Sequence, residues 1–251
     1  MGFYSGPTVV NDSLVFCFDA GSDKCTDADD AVASMRDIAP VAHSSRTDRS
    51  VHGDGNTGNI TFPTNTGAAK ALDLSVSGQN STVDADDYDN RIDLDDDLVF
   101  ADEDAYSFEF WGKLNSNAVN TYQSLGGRGA TNPWIIQHKG GANSWTIKFR
   151  DNDAQYRTSS TQTTSSTEWY QMMFTVGTNR DIKFYINGEL KDTVASTDTY
   201  LKIDRIGAGY SSSTSRYNYQ GVILCCRIYS KTLSDAEVLQ NFNATRGRVG
   251  I

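Results

Sequence analysis

Carboxylates dominate the residues able to do chemistry, and they are densest in "DADDYDNRIDLDDDLVFADED" at 84–104. Within that run Asp93, Asp95, Asp97 and Asp104 repeat the 1, 3, 5, 12 ligand spacing of a helix-flanked calcium loop. Position 6 of such a loop is Leu98 here, where the sharp turn requires glycine, and the twelfth ligand is an aspartate that reaches less far than glutamate. The spacing therefore argues against an EF-hand. Paired carboxylates for glycosidic-bond cleavage are a second chemistry, carried on one strand as E-x-D-x-x-E. None of Glu103, Glu109, Glu168, Glu189 and Glu237 has Asp at +2 and Glu at +5. Glu109, in "FEFWGK", stands alone and reads as a surface or cross-strand residue. His43, His52 and His138 are scattered, and no G-x-S-x-G elbow occurs. His43 and His52 share one polar segment and are the only histidines placed to share a metal. Nothing in these patterns predicts an enzyme.

The aromatic residues offer recognition instead of catalysis. Trp134 follows Asn132-Pro133 and Trp145 follows Asn143-Ser144, so both lie near strand starts beside loops. Exposed there, they would stack on sugar rings; buried, they would be core. The segment "GYSSSTSRYNYQ" at 209–220 carries Tyr210, Tyr217 and Tyr219 among serines, the composition of an adaptable contact loop for a glycan or a neighbouring protein. Trp169, opening "EWYQMMFTV", reads as core.

The elements that must position these residues are short. Hydrophobic residues make up 38% of the 251 and the mean hydropathy is -0.49, which suits amphipathic strands. Five of the 32 acidic residues are glutamate and the rest aspartate, and Asp favours turns and caps where Glu favours helices. Alternating runs recur: "NITF", "KALDLSV", "NRIDL", "YSFEFWGKL", "PWIIQH", "SWTIKFR", "EWYQMMFTV", "DIKFYINGELKDTV", "LKIDRIGAG" and "QGVILCCRIYS". In one of them Phe108, Phe110 and Gly112 alternate with Ser107, Glu109 and Trp111. Regularly spaced alternation with polar turns predicts an all-β sandwich or jelly roll. Asn187-Gly188 predicts a type I′ hairpin. Residues 1–12 read as an N-terminal arm, 13–251 as one domain, and 22–59 as a long irregular loop within it.

The chain closes on a helix predicted over 234–245. Ser234 and Glu237 form a capping box, and Val238, Leu239 and Phe242 make an apolar stripe with Gln240, Asn241 and Asn243 opposite. Arg246 and Gly247 supply a favourable charge and a stop. So short a helix is not stable alone, so its stripe must cover part of the sandwich.

A net charge of -10 disfavours nucleic acid and anionic membrane surfaces as partners. No run approaches the ~20 apolar residues of a membrane span, and "MGFYSGPTVVND" has neither the basic start nor the apolar run of a signal peptide. Cys17, Cys25, Cys225 and Cys226 lack paired CxxC spacing, so they read as reduced, buried side chains; a bridge from Cys17 to Cys225 or Cys226 would need neighbouring terminal strands.

"LVFCFDAG", "YSFEFWGKL", the pair "EWYQMMFTV" and "IKFYINGELKDTV", and "GVILCCRIYSKTLSDAEVLQNFNATRGRVG" together resemble the concanavalin A-like, laminin-G-type jelly roll over residues 13–251. The resemblance implies two antiparallel sheets with a short C-terminal helix. It also implies a calcium site of the kind several members carry on the sandwich rim, with Asp86, Asp87, Asp89 or Asp95 as ligands. The opening "GPTVVNDSLVFCFDAG" and closing "EVLQNFNATRGRVG" further resemble laminin-G-like structural proteins of tailed bacteriophages, notably marine and cyanobacterial ones. That resemblance implies a protein made in the host cytoplasm and displayed on the virion surface as a capsid decoration, head fibre or tail-associated component. Its partners would be other virion proteins, a host-surface glycan, or further copies of itself. The competing expectation is a calcium-dependent adhesin or lectin, and behind it a glycoside hydrolase whose carboxylates converge from distant strands.

Overall fold

The computed structural model describes residues 7–22, 25, 34–35, 38–39, 49–52, 71–74, 91–114, 122–127, 134–139, 144–150, 156–163, 168–212 and 215–251. The strands in the first half are β1 (Leu14–Asp19), β2 (Ser34–Met35), β3 (Arg49–His52), β4 (Leu72–Asp73), β5 (Arg91–Phe100), β6 (Tyr106–Leu114), β7 (Tyr122–Gly127), β8 (Trp134–Lys139) and β9 (Ser144–Arg150). They are followed by β10 (Tyr156–Thr158), β11 (Gln162–Thr163), β12 (Tyr170–Val176), β13 (Asp181–Ile186), β14 (Glu189–Ala195), β15 (Leu201–Ile206), β16 (Ala208–Ser212), β17 (Ser215–Asn218) and β18 (Gly221–Tyr229). One helix, α1 (Asp235–Arg246), closes the chain.

The strands form two antiparallel layers. A seven-stranded sheet runs β1-β18-β6-β12-β13-β14, with β4 also on β18. A nine-stranded sheet runs β10-β9-β8-β7-β15-β5-β3-β2, with β11 on β9. Alternation sets what lies between them. Phe108 and Phe110 of β6, Phe174 of β12 and Ile228 of β18 meet Ile92 and Leu98 of β5 and Ile203 of β15 in one buried cluster. Phe108 and Phe174 stack with ring centroids 5.5 Å apart. This is the predicted jelly-roll-type sandwich.

Local predictions fare variously. Asn187 (φ 51) and Gly188 (φ 79) both take the left-handed conformation of a type I′ turn between β13 and β14. An added Cβ at Gly188 would stand 3.1 Å from Leu239 and Phe242 of α1, so this glycine serves helix packing as well as the turn. The 22–59 stretch is not wholly irregular, since β2 and β3 extend the nine-stranded sheet. "NRIDL" is the start of a longer strand: β5 carries the acidic run from Asp93 to Asp97 within it. "NITF" at 59–62 lies outside the described residues. All four cysteines are buried and free. β1 and β18 are neighbours as a bridge would need, but Cys17 pairs in register with Arg227, and Cys225 with Asp19.

The helix follows its capping box: the Glu237 amide donates to Ser234 Oγ at 3.3 Å and the Ser234 amide to Glu237 Oε2 at 2.8 Å. Its packing face differs from the predicted stripe. Val238, Asn241 and Thr245 are the buried positions, while Leu239 is 46% exposed. Gly247 caps the helix in right-handed geometry (φ -62), so it ends the helix without the left-handed turn glycine usually supplies there.

Candidate functional site

Two sheet faces point away from the central core, and the chain treats them differently. The face of the seven-stranded sheet is sealed by α1 and by residues 8–12. Val10 and Val238 pack there with Tyr185 and Tyr229, and Phe242 stacks on Trp111 at 5.7 Å between ring centroids.

Beneath this cover lies Glu109, fully buried. Its Oε1 accepts from Trp111 Nε1 (2.8 Å), Gln171 Nε2 (2.8 Å) and Arg227 Nη1 (3.1 Å), and its Oε2 from Asn241 Nδ2 (3.0 Å). Asn241 also donates to Tyr229 Oη at 2.9 Å and accepts the Val10 amide at 2.8 Å, so one side chain joins helix, sheet and arm. A carboxylate held by four donors and shielded from water by helix and arm is out of a substrate's reach. Glu109 is therefore a structural hub: of the two readings its sequence context allowed, it is not a surface residue but a cross-strand partner, standing opposite Arg227 of β18. Asn241, expected on the solvent side of the helix, points inward because the sheet offers it a carboxylate.

The termini are tied to the same face. Gln240 Nε2 donates to the Thr8 carbonyl at 2.7 Å, and Arg248 grips Asp19 through two bonds of 2.7 Å each. At one end of the sandwich the Arg180 guanidinium binds Asp102 in bidentate fashion and reaches Glu103 at 2.9 Å. Asp102 also accepts the Thr199 amide at 2.9 Å. The Arg180 hydrogen bond, then the Thr199 amide, hold the Asp102 carboxyl below the usual carboxylate range. This clamp fixes three turns at once, and Glu103 and Arg180 adopt positive φ (71° and 64°) to make it.

The nine-stranded sheet has no such cover among the described residues. Ile92, Leu94, Leu98 and Phe100 of β5 point into the core, so Arg91, Asp93, Asp97 and Val99 take the opposite face. Likewise Lys202 and Asp204 alternate with buried Leu201 and Ile203. These charges are paired: Arg91 with Asp93 (2.8 Å), Arg205 with Asp204 (2.9 Å), and Lys202 with Asp97. The result is a polar, charge-balanced surface. Sequence reading missed it because it ended the strand "NRIDL" at Leu94 and left 95–97 to the acidic run; the alternation of Ile92, Leu94 and Leu98 with charges was the available signal.

The predicted aromatic contacts divide. β16 and β17 form a hairpin that packs alongside β7, with Tyr210 opposite Arg216 and Gly209 opposite Tyr217, so these two tyrosines share one element. Tyr219 does not belong with them. It is fully buried and packs edge-on to Phe110 with centroids 5.0 Å apart, above the space left by Gly112. A tyrosine so placed is core and offers no surface to a ligand. Trp134 and Trp145 lie on adjacent strands β8 and β9, Trp134 opposite Arg150 and Trp145 opposite Lys139. Five register steps, about 17 Å, separate them, so they do not form one platform; their side chains, like those of Tyr210 and Tyr217, lie outside the description. Trp169 is buried at 6% exposure, as expected of core.

The acidic residues do not assemble a metal centre among the described residues, where no three His, Cys, Asp or Glu side chains converge. Asp86, Asp87 and Asp89 lie outside the description, and Asp95 is described only as a backbone position within β5. Of the histidine pair, His43 lies outside the description and His52 pairs in β3 with Arg91. No helix among the described residues is long and apolar enough to cross a membrane.

With two antiparallel layers, one outer face sealed and the other uncovered among the described residues, the fold defines a jelly-roll domain of the lectin type. Residues 85–239 match the laminin-G model of the concanavalin A-like lectin/glucanases superfamily. The chain belongs to that family. No curated protein sequence matches it. Among solved structures it is similar to the binding domain of botulinum neurotoxin DC in complex with rat synaptotagmin II (15% identity, TM-score 0.57, covering 94% of this chain and 52% of that one). It is also similar to the serotype D ligand binding domain in complex with N-acetylneuraminic acid (16%, TM-score 0.59, 93% and 51%). The type G receptor binding domain is a third (13%, TM-score 0.54, 92% and 51%). The chain thus spans about half the length of these neighbours, and at such identities the likeness is one of fold.

Proposed function

We propose that this protein is a non-catalytic recognition domain, carried on the surface of a tailed-phage particle, that binds a host-surface glycan through the open side of its nine-stranded sheet. The observation that carries the recognition reading is the asymmetry of the two outer faces. Helix, arm and tail are spent on closing one, while the other carries paired charges, and the Tyr210–Tyr217 hairpin packs alongside its strand β7. Paired charges and tyrosines suit hydroxyl-rich, ring-shaped ligands, with hydrogen bonds from the former and apolar faces from the latter. Two of the structural neighbours are described by the protein or sugar they bind, which supports recognition as the use of this architecture.

Absence of catalysis rests on the chemistry of the carboxylates: Glu109 is consumed internally, and Asp93, Asp97 and Asp204 are held by cations. The particle-surface role and the host-cytoplasm origin rest on the likeness of the opening and closing segments to phage structural proteins. Calcium, through Asp86, Asp87, Asp89 and Asp95, is the cofactor this reading allows. The test is a glycan array probed in calcium and again in chelator, together with immunolabelling of purified particles. Selective array binding and labelled particles are expected. A folded protein that binds no glycan, or particles that lack it, would contradict the corresponding half.

A further inference from the structure

The two open sides of the sandwich are finished differently. On the β14 side the sheets are stitched by side chains. Arg157 of β10 donates to Ser196 Oγ at 3.0 Å and Thr197 Oγ1 at 2.8 Å, and the Ser160 amide donates to Asp192 Oδ2 at 2.7 Å. On the opposite side a cavity of about 500 Å³ opens between β1 and the second half of β5, and its lining includes Val15, Leu98, Val99, Phe100, Asp97 and Asp104.

Three features of this groove specify an occupant. First, residues 98–100 of β5 pair on one side only, with 201–203 of β15, because β3 reaches no further than Arg91 and Ile92. Among the described residues their second hydrogen-bonding edge is unclaimed, and a row of free N–H and C=O groups is satisfied best by another extended backbone. Second, the groove has apolar walls between its polar residues: Val15, Val99 and Ala105 line it, Leu98 and Phe100 are buried beneath it, and Val99 is 52% exposed. Third, it carries carboxylates. Asp97 Oδ2 holds Lys202 and Asp104 Oδ2 accepts the Ala101 amide, which leaves Oδ1 of each without a partner among the described residues. Two carboxylates with one free oxygen apiece do not present the two-oxygen edge that a planar guanidinium fork prefers. They suit an ammonium, whose three donors point separately and whose aliphatic stem lies along apolar walls. An anion would meet like charge.

We propose that this groove binds an extended, lysine-bearing segment of a partner protein, which adds to the free edge of β5 and sets its ammonium against Asp97 and Asp104. The site shares Asp97 and Val99 with the rim of the open face, but it engages the strand edge and does not rest on the glycan reading. A silent glycan array leaves it intact, and failure here leaves the glycan reading intact.

The test uses the full chain, ¹⁵N-labelled, titrated with the blocked peptide acetyl-Thr-Lys-Val-Thr-amide and with its norleucine counterpart, which keeps the stem and loses the charge. Saturable shifts of the amides of residues 97–105 are expected, with slowed hydrogen exchange at the edge amides of β5. Binding should weaken roughly tenfold for the norleucine peptide and for Asp97→Asn/Asp104→Asn, as loss of two partly exposed charge contacts implies. Asn at 104 retains an oxygen for the Ala101 amide, so the turn persists. The proposal is overturned if the 97–105 amides do not shift saturably, or if the norleucine peptide or the double variant binds as well as the lysine peptide with the wild type. It is equally overturned if glucosamine reproduces the full response, which would make the groove a simple amine site.

Discussion

Removing the carboxylate of Glu109 perturbs the most connected point in the molecule. Glu109→Ala leaves the Arg227 guanidinium, 3% exposed, buried without its counter-charge. Breaking one partner of such a pair costs about 3–5 kcal/mol. Trp111, Gln171 and Asn241 lose their acceptor as well. Each orphaned donor costs about 1–3 kcal/mol, and the losses overlap because water enters the space created. The total is comparable with the whole stability of an ordinary domain, about 5–15 kcal/mol. Glu109→Gln, which keeps the shape and an acceptor oxygen, should lose about 3 kcal/mol, chiefly from Arg227. The pairing itself is measured by a double-mutant cycle of Glu109→Gln and Arg227→Met. The double variant should be markedly more stable than the two single losses added together, with a coupling of about 2–3 kcal/mol. The assay is urea unfolding followed by tryptophan fluorescence, read as a shift in midpoint at constant slope. Strict additivity, or a Glu109→Gln variant within about 0.5 kcal/mol of the wild type, would refute the hub.

Four other outcomes are expected. Gly188→Ala combines a positive φ with a Cβ crowding Leu239 and Phe242 at 3.1 Å, and should cost about 1–3 kcal/mol in the same unfolding assay; Gly188→Asn should cost less than Gly188→Ala. Ser234→Ala removes the helix cap and should cost about 1 kcal/mol, read as a lowered urea midpoint. The Asp102, Asp235 and Glu237 carboxyls are held low by Arg180, by Tyr185 and Lys183, and by Lys231. Their folded values lie below their unfolded ones, so the stability they contribute is present above about pH 4–4.5 and disappears as pH falls further; Asp102→Asn should flatten that acid limb. Burial pushes the Cys225 and Cys226 thiols well up, so a thiol reagent at neutral pH should label none of the four buried cysteines in the folded protein and all four after unfolding.

Much of the sandwich was legible because its signals are local. Alternation in "YSFEFWGKL" places Phe108 and Phe110 on one face and Glu109 and Trp111 on the other, as found, and Asn187-Gly188 and Ser234/Glu237 act through neighbours in sequence. What stayed hidden depends on partners distant in the chain. Asn241 reads as a solvent-facing residue until Glu109, 132 positions away, is known to lie under the helix. A hydropathy stripe therefore favoured Leu239, which is exposed, over Asn241 and Thr245, which are buried. A signal was present, since Glu109 is the one acidic residue of β6 and Arg227 the one charged residue of β18, each set among apolar neighbours. Tyr219 misled for a related reason: its serine-rich neighbourhood ends one residue before the chain turns into the core. The tail is part of the fold for the same reason: Thr245 is buried and Arg248 binds Asp19, so deleting 245–251 would weaken the sandwich itself.

The most direct test of glycan recognition by the open side is the array in calcium and chelator, run with the wild type beside Tyr210→Ala/Tyr217→Ala. Selective binding by the wild type and its loss in a variant that remains folded are expected. A folded wild type that binds nothing, or a variant that binds equally well, would contradict that recognition.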